Sequence, residues 1–217
     1  MKIIKTAIAL SFLLIFHLSA SAQDFEGKIA YSISYGDLPE EMKAYESMLP
    51  KEMNFSVKGD KSKMTQPSAM GSETIVITDN SANKSTVLID AMGNKIAVST
   101  DLDERFSNKP KVEYVAGTKK IAGYDCKKAI LTDENGIKTT LWYTPDVPAL
   151  DINLGLSEID GLPLEFESEQ NGINAKIVAK SVSEEKINDS EFVIPAGYKE
   201  MSAEEFQQLM KSQGGGM

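Results

Sequence analysis

Three glutamates at alternate positions have the spacing in this 217-residue chain that best suits acid–base chemistry. Glu165, Glu167 and Glu169 share one face of a predicted strand, because side chains alternate along a strand. Neighbouring carboxylates on that face lie ~6.5–7 Å apart at a rise of ~3.3 Å per residue, near the separation in inverting glycosidases. Acidic residues more often form a solvated surface. The pattern therefore favours a polar face over a hydrolase site.

Two other groups of residues have side chains that allow chemistry. Cys126 is followed directly by two lysines, which would favour a reactive thiolate; the alternative, which we favour, is a small buried apolar residue. Asp101, Asp103 and Glu104 offer the oxygen ligands that calcium prefers. They lack the full spacing of a calcium loop, so we expect a solvated loop and predict no metal site.

The residue types that the chain lacks exclude several classes of enzyme. Its only histidine is His17 and its only cysteine is Cys126. Once the segment containing His17 is removed on export, no Ser-His-Asp or Cys-His system and no imidazole zinc site can form. One cysteine makes no redox pair, and no glycine-rich phosphate loop is present. The sequence predicts a protein that is not an enzyme and that carries no cofactor.

Residues 1–22 have the pattern of an export signal. Two lysines precede an apolar run at residues 7–18, and residues 20–22 form a small-x-small cleavage site ending at Ala22. The run is too short to span a membrane. We predict cleavage near Ala22 and a periplasmic or secreted protein. Without those two lysines, 21 basic residues face 32 acidic ones, a net charge of −11, which argues against nucleic acid and anionic membranes as partners.

The elements that must position these residues are mostly strands. Asn135-Gly136 is typical of a two-residue hairpin turn, here within residues 111–146. That turn places Ile130 opposite Leu141 on the core face, and Trp142 opposite Ala129 on the other face. Further alternating segments predict a first strand at residues 24–35, a second hairpin of two short strands within residues 53–66, and later strands at residues 73–78, 85–90, 95–100, 161–167, 173–183 and 192–194.

Two segments change to helical spacing. Residues 38–49 predict a helix directly after the first strand, ended by Pro50. Ser202 begins a capping box with Glu205 and so predicts a C-terminal helix. The fold class is therefore mainly β with minor α: a curved antiparallel sheet or incomplete β-barrel, in one domain over residues 23–211 with a disordered tail at residues 212–217.

Methionines are concentrated in the first half of the mature chain. Methionine is flexible and polarizable and suits surfaces that accept varied apolar ligands, although ordinary core packing is its more common role. Met42 and Met48 of the helix after the first strand, together with Trp142 and Tyr143 of the hairpin, are the candidates for lining an apolar cavity.

Several short motifs resemble a group of secreted Bacteroidota proteins of unknown function that is related to the GLPGLI proteins. They lie at residues 112–129, 141–144, 161–166 and 192–198. Gly161-Leu162-Pro163 begins the name-giving motif, but Leu164 stands where that motif has glycine. The resemblance implies the wider superfamily of the lipoprotein carriers LolA and LolB, an incomplete antiparallel barrel whose helices close an apolar cavity. It implies no catalytic residues.

Three functions follow from these observations. The first is a periplasmic binding protein that holds a lipid, an acyl chain or a lipidated peptide in an apolar cavity. The second is an envelope protein with a filled core that acts structurally or through a protein partner. The third, a hydrolase using Glu165 and Glu167, has the weakest support.

Overall fold

The alternating segments of the sequence form one twelve-stranded sheet in a computed structural model, which describes residues 25–67, 73–91, 94–102, 110–134, 136–150, 156, 159–170 and 172–214. The strands are β1 (Glu26–Tyr35), β2 (Glu52–Lys58), β3 (Lys61–Pro67), β4 (Glu73–Asp79), β5 (Lys84–Ala91), β6 (Asn94–Asp101), β7 (Lys111–Ile121), β8 (Tyr124–Thr132), β9 (Lys138–Thr144), β10 (Leu162–Gln170), β11 (Ile173–Glu184) and β12 (Lys199–Ser202). The predicted signal at residues 1–22 lies outside the described residues.

The sheet is open, mixed and curved. Its strand order is β12-β6-β5-β4-β3-β2-β1-β11-β10-β9-β8-β7, and each described pair is antiparallel except β12 with β6. The edge strand β7 contacts β11, four places along the order, which requires strong curvature. The predicted fold class, mainly β with a curved sheet and a helix near each end, is confirmed.

The helix after the first strand is shorter than predicted. It consists of α1 (Glu40–Lys43) and a 3₁₀ turn at Glu46–Met48, where a continuous helix over residues 38–49 was expected. None of the residues in these two turns is buried, and a short helix gains little stability without a packed apolar face. This explains why the helical segment breaks after one turn.

The C-terminal helix α2 (Ala203–Gly214) begins with the predicted capping box. The backbone N–H of Glu205 donates to the Ser202 hydroxyl at 3.2 Å, and the backbone N–H of Ser202 donates to the Glu205 carboxylate at 2.8 Å. The helix continues past Ser212, where a disordered tail was expected to begin. None of the described helices is long and apolar enough to cross a membrane.

The two faces of the sheet are named here after two neighbours in β1. The Tyr31 face carries the main core, in which Tyr31 is fully buried. Its ring contacts those of Phe55 and Phe166 edge-on at centroid distances of 6.0 and 6.2 Å. Its hydroxyl donates a 2.8 Å hydrogen bond to the carbonyl of Pro163. Side chains from β8 to β11, β1 and β2 therefore fill the Tyr31 face.

At the end of the sheet formed by β4 to β6, the Lys28 face carries the buried apolar side chains. Ile75, Ile77, Leu88 and Ala97 of β4 to β6 form a second cluster there. Residues 185–198, called the crossing segment below, run over this face from β11 to β12. Phe192, Ile194 and Tyr198 of the segment pack on the second cluster. The predicted strand at residues 192–194 is therefore wrong, because its apolar side chains cover a sheet face instead of joining a ladder; a 3₁₀ turn at Asp189–Phe192 precedes them.

The central hairpin has a longer turn than predicted. Asp133 and Ile137 pair through backbone and side-chain hydrogen bonds, which leaves a loop of three residues with Gly136 at φ +79°; Asn135 lies outside the described residues. A three-residue loop shifts the register by one, so Ala129 faces Leu141. The predicted pairing of Ile130 with Leu141 is therefore wrong.

We expect Tyr31→Phe to lower the free energy of unfolding by about 1–3 kcal/mol, because the buried Pro163 carbonyl loses its donor. Tyr35→Phe is the matched control, since its hydroxyl also donates to a proline carbonyl, that of Pro50, in a partly exposed place. Water can replace that bond, so we expect a loss below about 1 kcal/mol. Urea unfolding of both variants measures the difference, and equal losses would contradict the assigned role of Tyr31.

Candidate functional site

The alternating glutamates of β10 lie on the Lys28 face, as the spacing predicted. Glu165 is buried, with 8% of its surface exposed, whereas Glu167 and Glu169 are exposed. The Glu165 carboxylate accepts a hydrogen bond from the ammonium group of Lys119 and lies 3.0 Å from that of Lys176. The three glutamates therefore share a face but not an environment.

A bulge in β7 brings Lys119 to Glu165, although the two residues lie on strands three places apart. The β7–β8 register shifts between Val115 and Thr118. Gly117 lies there at φ +153°, and a side chain at this position would contact the ring of Trp142. The bend thus folds the end of β7 back across the Lys28 face and places Lys119 against β10.

Electrostatics keep Glu165 ionised. Burial alone would raise the pKa of this carboxyl, but hydrogen bonds and the charges of Lys119 and Lys176 outweigh it and hold the pKa below its usual value. A general acid needs the opposite shift. Glu165 is thus arranged as a fixed anion between two cations.

Trp142 belongs to the same cluster. It pairs with Lys128 and with Glu165 on the neighbouring strands, so the predicted pairing with Ala129 is wrong by the one-residue shift described above. The ammonium groups of Lys119 and Lys128 lie 5.7 and 5.9 Å from the centre of its ring. Both are cation–π distances, and the tryptophan helps to fasten the β7–β8 hairpin to the sheet.

Two of the four candidate cavity residues, Trp142 and Tyr143, lie on opposite faces of the sheet. Tyr143 follows Trp142 in β9 and is buried on the Tyr31 face, with its ring 5.6 Å from that of Tyr114. Successive side chains of a strand point to opposite faces, which separates these two residues. Met42 is half-buried and Met48 is 39% exposed, both in the β1–β2 connection.

The remaining candidates behave as structural residues. Cys126 is 1% exposed in the core, and burial raises the pKa of its thiol, which agrees with the favoured interpretation as a small apolar side chain. Asp101 is exposed at the end of β6, whereas Asp103 and Glu104 lie outside the described residues. Within the described part of the chain, no group of three or more histidine, cysteine or acidic side chains is placed to hold a metal.

A polar groove of 340 Å³ crosses the Lys28 face, and sequence reasoning did not predict it. Its floor is formed by mostly polar side chains of β11, β1, β2 and β3, and Glu191 of the crossing segment borders it. The signal available in the sequence was the pair of polar residues at alternate positions in three of these strands: Ser181 and Ser183 in β11, Asn54 and Ser56 in β2, and Lys63 and Thr65 in β3. Those positions form a groove only once β1 lies between β11 and β2, and strand order is not a local property of the sequence.

Most of the chain matches a known protein family. Residues 29–204 match the family described as N-glycanase peptide, N-terminal domain. The chain belongs to this family. Among curated proteins, none has a sequence that matches it.

Solved structures give the same picture of the fold. PNGF-II, in its C2 crystal form, is similar at a TM-score of 0.52 and 19% identity over 86% of this chain and 32% of that chain. The chain thus spans about a third of the length of PNGF-II. An uncharacterized conserved protein from Thermus thermophilus is similar at a TM-score of 0.51 and 6% identity over 82% of this chain and 92% of that one. At these identities the likeness shows the fold alone.

A LolA superfamily protein, NE2245 from Nitrosomonas europaea, is also among the similar structures. Its TM-score is 0.35 at 12% identity, over 80% of this chain and 91% of that one. The predicted resemblance to LolA-type proteins is thus found at a distance too great to support an argument about function. The expected relation to the GLPGLI group of Bacteroidota stays a prediction.

We expect Glu165→Gln to lower the free energy of unfolding at pH 7 by about 1 kcal/mol, a small value because Lys119 and Lys176 are nearly half exposed. The folded pKa lies below the unfolded value of about 4.3. The stabilisation is therefore complete above that pH and is lost as the pH falls through the folded pKa. Urea unfolding from pH 7 to pH 3 should show the gap between wild type and variant closing below about pH 4.

Glu167→Gln is the matched control, because Glu167 lies two residues away on the same face and is exposed. Its stability at pH 7 should stay within about 0.5 kcal/mol of that of the wild type, as for most surface substitutions. A gap for Glu165→Gln that stays constant down to pH 3 would contradict the assigned ion cluster.

Proposed function

We propose that this chain is a non-catalytic binding module of an exported protein, released to the periplasm or beyond after cleavage near Ala22. Its family takes its description from the N-terminal domain of an N-glycanase, and the chain spans about a third of PNGF-II. Membership in that family does not transfer the glycanase activity. The proposal assigns to this chain recognition of a partner or ligand and no chemical step.

The state of Glu165 carries the proposal. It is the only charged side chain among the described residues that is buried, and this burial alone would raise its pKa. Two lysines reverse that effect. Glu167 and Glu169 are exposed. Glu165 is thus not held in the protonated state that a general acid of glycoside hydrolysis needs.

The filled core supports binding at the surface instead of inside the sheet. Tyr31, Leu141 and Leu164 are each 0% exposed on the Tyr31 face. Close-packed interiors leave no space for a ligand. An interaction module with a filled core, the second function considered from the sequence, agrees best with this packing.

We expect no release of glycans when the purified chain is incubated with a denatured N-glycosylated protein, because two lysines hold the buried Glu165 carboxylate ionised. Mass spectrometry of the released oligosaccharides measures the result, with a commercial N-glycanase as the positive control. Release of glycans by the wild type would contradict this expectation. If that release were lost in Glu165→Gln but kept in a Lys119→Met variant, the proposal would be overturned.

One observation favours lipid or acyl-chain binding as a second candidate function. At the β3–β6 end of the sheet, the Tyr31 face carries half-buried apolar side chains, among them Met64, Val76, Val87 and Ile96. They occupy neighbouring strands and form a continuous apolar stripe. Such a surface suits an acyl chain better than a polar ligand.

If the stripe binds acyl chains, Val87→Asp should weaken binding of a fluorescent fatty acid by about tenfold or more, because a carboxylate replaces an apolar contact. Val193→Asp is the matched control, since Val193 is 62% exposed on the crossing segment. Met48→Asp should also weaken binding of the fatty acid if the β1–β2 connection contributes to the site, as the sequence predicted. Fluorescence titration gives the three affinities, and a wild type without saturable binding would exclude this second candidate.

A further inference from the structure

We infer that the polar groove on the Lys28 face is a binding site for a neutral oligosaccharide. The inference rests on the proposed function as a binding module and names its ligand class. Four adjacent strands form the floor, and the crossing segment forms one border. Two rows of side chains run across these strands, and their chemistry differs.

The first row is uncharged and open. It consists of one residue from each strand, in the order Ser181, Ala30, Asn54 and Thr65. Asn54, Thr65 and Ser181 make no side-chain hydrogen bond within the described part of the chain. A hydroxyl both donates and accepts, and an amide offers two donors and an acceptor. The row therefore presents unused hydrogen-bonding groups of both kinds around the methyl group of Ala30.

The second row holds charges that are already paired. It includes Lys28 and Lys63, with Ser56 between them. The ammonium group of Lys28 lies 2.7 Å from the carboxylate of Glu185, and that of Lys63 lies 3.3 Å from Glu191. Both acidic partners belong to the crossing segment. The groove thus has donors and acceptors in abundance but little unpaired charge.

The dimensions fit a small saccharide. Four strands at ~4.8 Å spacing span ~14 Å, and residues two apart along a strand are separated by ~6.6 Å. The resulting trough is long enough for a disaccharide and about one sugar ring wide. Its volume of 340 Å³ lies at the lower end of the ~300–1,000 Å³ range of small-ligand sites.

Other ligand classes fit the groove less well. An anion would meet the carboxylate of Glu191 and two lysines that already have partners. An acyl chain would cover the hydroxyl and amide groups without bonding to them, which is unfavourable. An extended peptide usually adds to a sheet at an open edge, whereas β1 and β2 are paired on both sides. A neutral ligand rich in hydroxyl groups can bond to the hydroxyl and amide groups of the floor. It brings no charge to Glu191 or the paired lysines, and it needs no open sheet edge.

Titration of the ¹⁵N-labelled chain with N,N′-diacetylchitobiose and with maltose tests the inference. We expect saturable shifts of backbone amides at residues 28–30, 54–56, 63–65 and 181–183 with at least one of the two. Asn54→Leu should raise the dissociation constant by about tenfold or more, because it replaces the central amide of the neutral row with an apolar side chain. Thr65→Val is a second, nearly isosteric variant with the same expected direction.

Asn174→Leu is the matched control: Asn174 is exposed on the Lys28 face of β11 and outside the groove. It should bind like the wild type. The inference is overturned if neither disaccharide gives saturable shifts, or if the shifts at these amides come only from sulfate or from laurate. Absence of sugar binding together with absence of glycan release would overturn the ligand class and leave the proposed module standing.

Discussion

The hydrogen bond from Tyr31 to the carbonyl of Pro163 joins the two halves of the sheet at its centre. Tyr31 lies in β1, which connects through β11 to β10, where Pro163 is located. The β10–β9 register shifts between Pro163 and Glu165, because proline has no N–H to continue the ladder. The shift leaves a buried carbonyl that needs a donor, and the tyrosine supplies one while filling the core with its ring.

The residues before this proline are constrained just as strongly. Gly161 has φ +150°, and a side chain at this position would clash with the carbonyl of Thr144. Leu162 and Leu164 are both fully buried. The Gly-Leu-Pro motif is therefore explained by packing and backbone geometry: glycine allows the close approach, proline breaks the ladder, and the leucines hold β10 in the core. Nothing in this motif requires a chemical function.

Local patterns predicted most strands, the capping box and the polar face of β10, because each depends on residues close together in sequence. Features that depend on distant residues were missed. The predicted register of the central hairpin was wrong by one residue, because Gly136 at φ +79° closes a three-residue loop. The sequence alone does not fix the length of that loop. The polar strand β12 has no alternating signal and exists through its pairing with β6. Likewise, Glu165 gained Lys119 only through the bend in β7 and Lys176 only through the pairing of β10 with β11.

The division of apolar residues between the two faces of the sheet determines which surface is left open to a ligand. The core occupies the Tyr31 face from β8 to β2, whereas at β4 to β6 the second cluster occupies the Lys28 face beneath the crossing segment. Where the first region ends, at β1 and β2, the core covers the Tyr31 side, and the opposite side is bordered but not closed by the segment. Ion pairs from Lys28, Lys58 and Lys63 hold that segment at the border. A sheet that changes its buried face in this way leaves a polar trough at the change, and the proposed binding surface is a consequence of how the core is distributed.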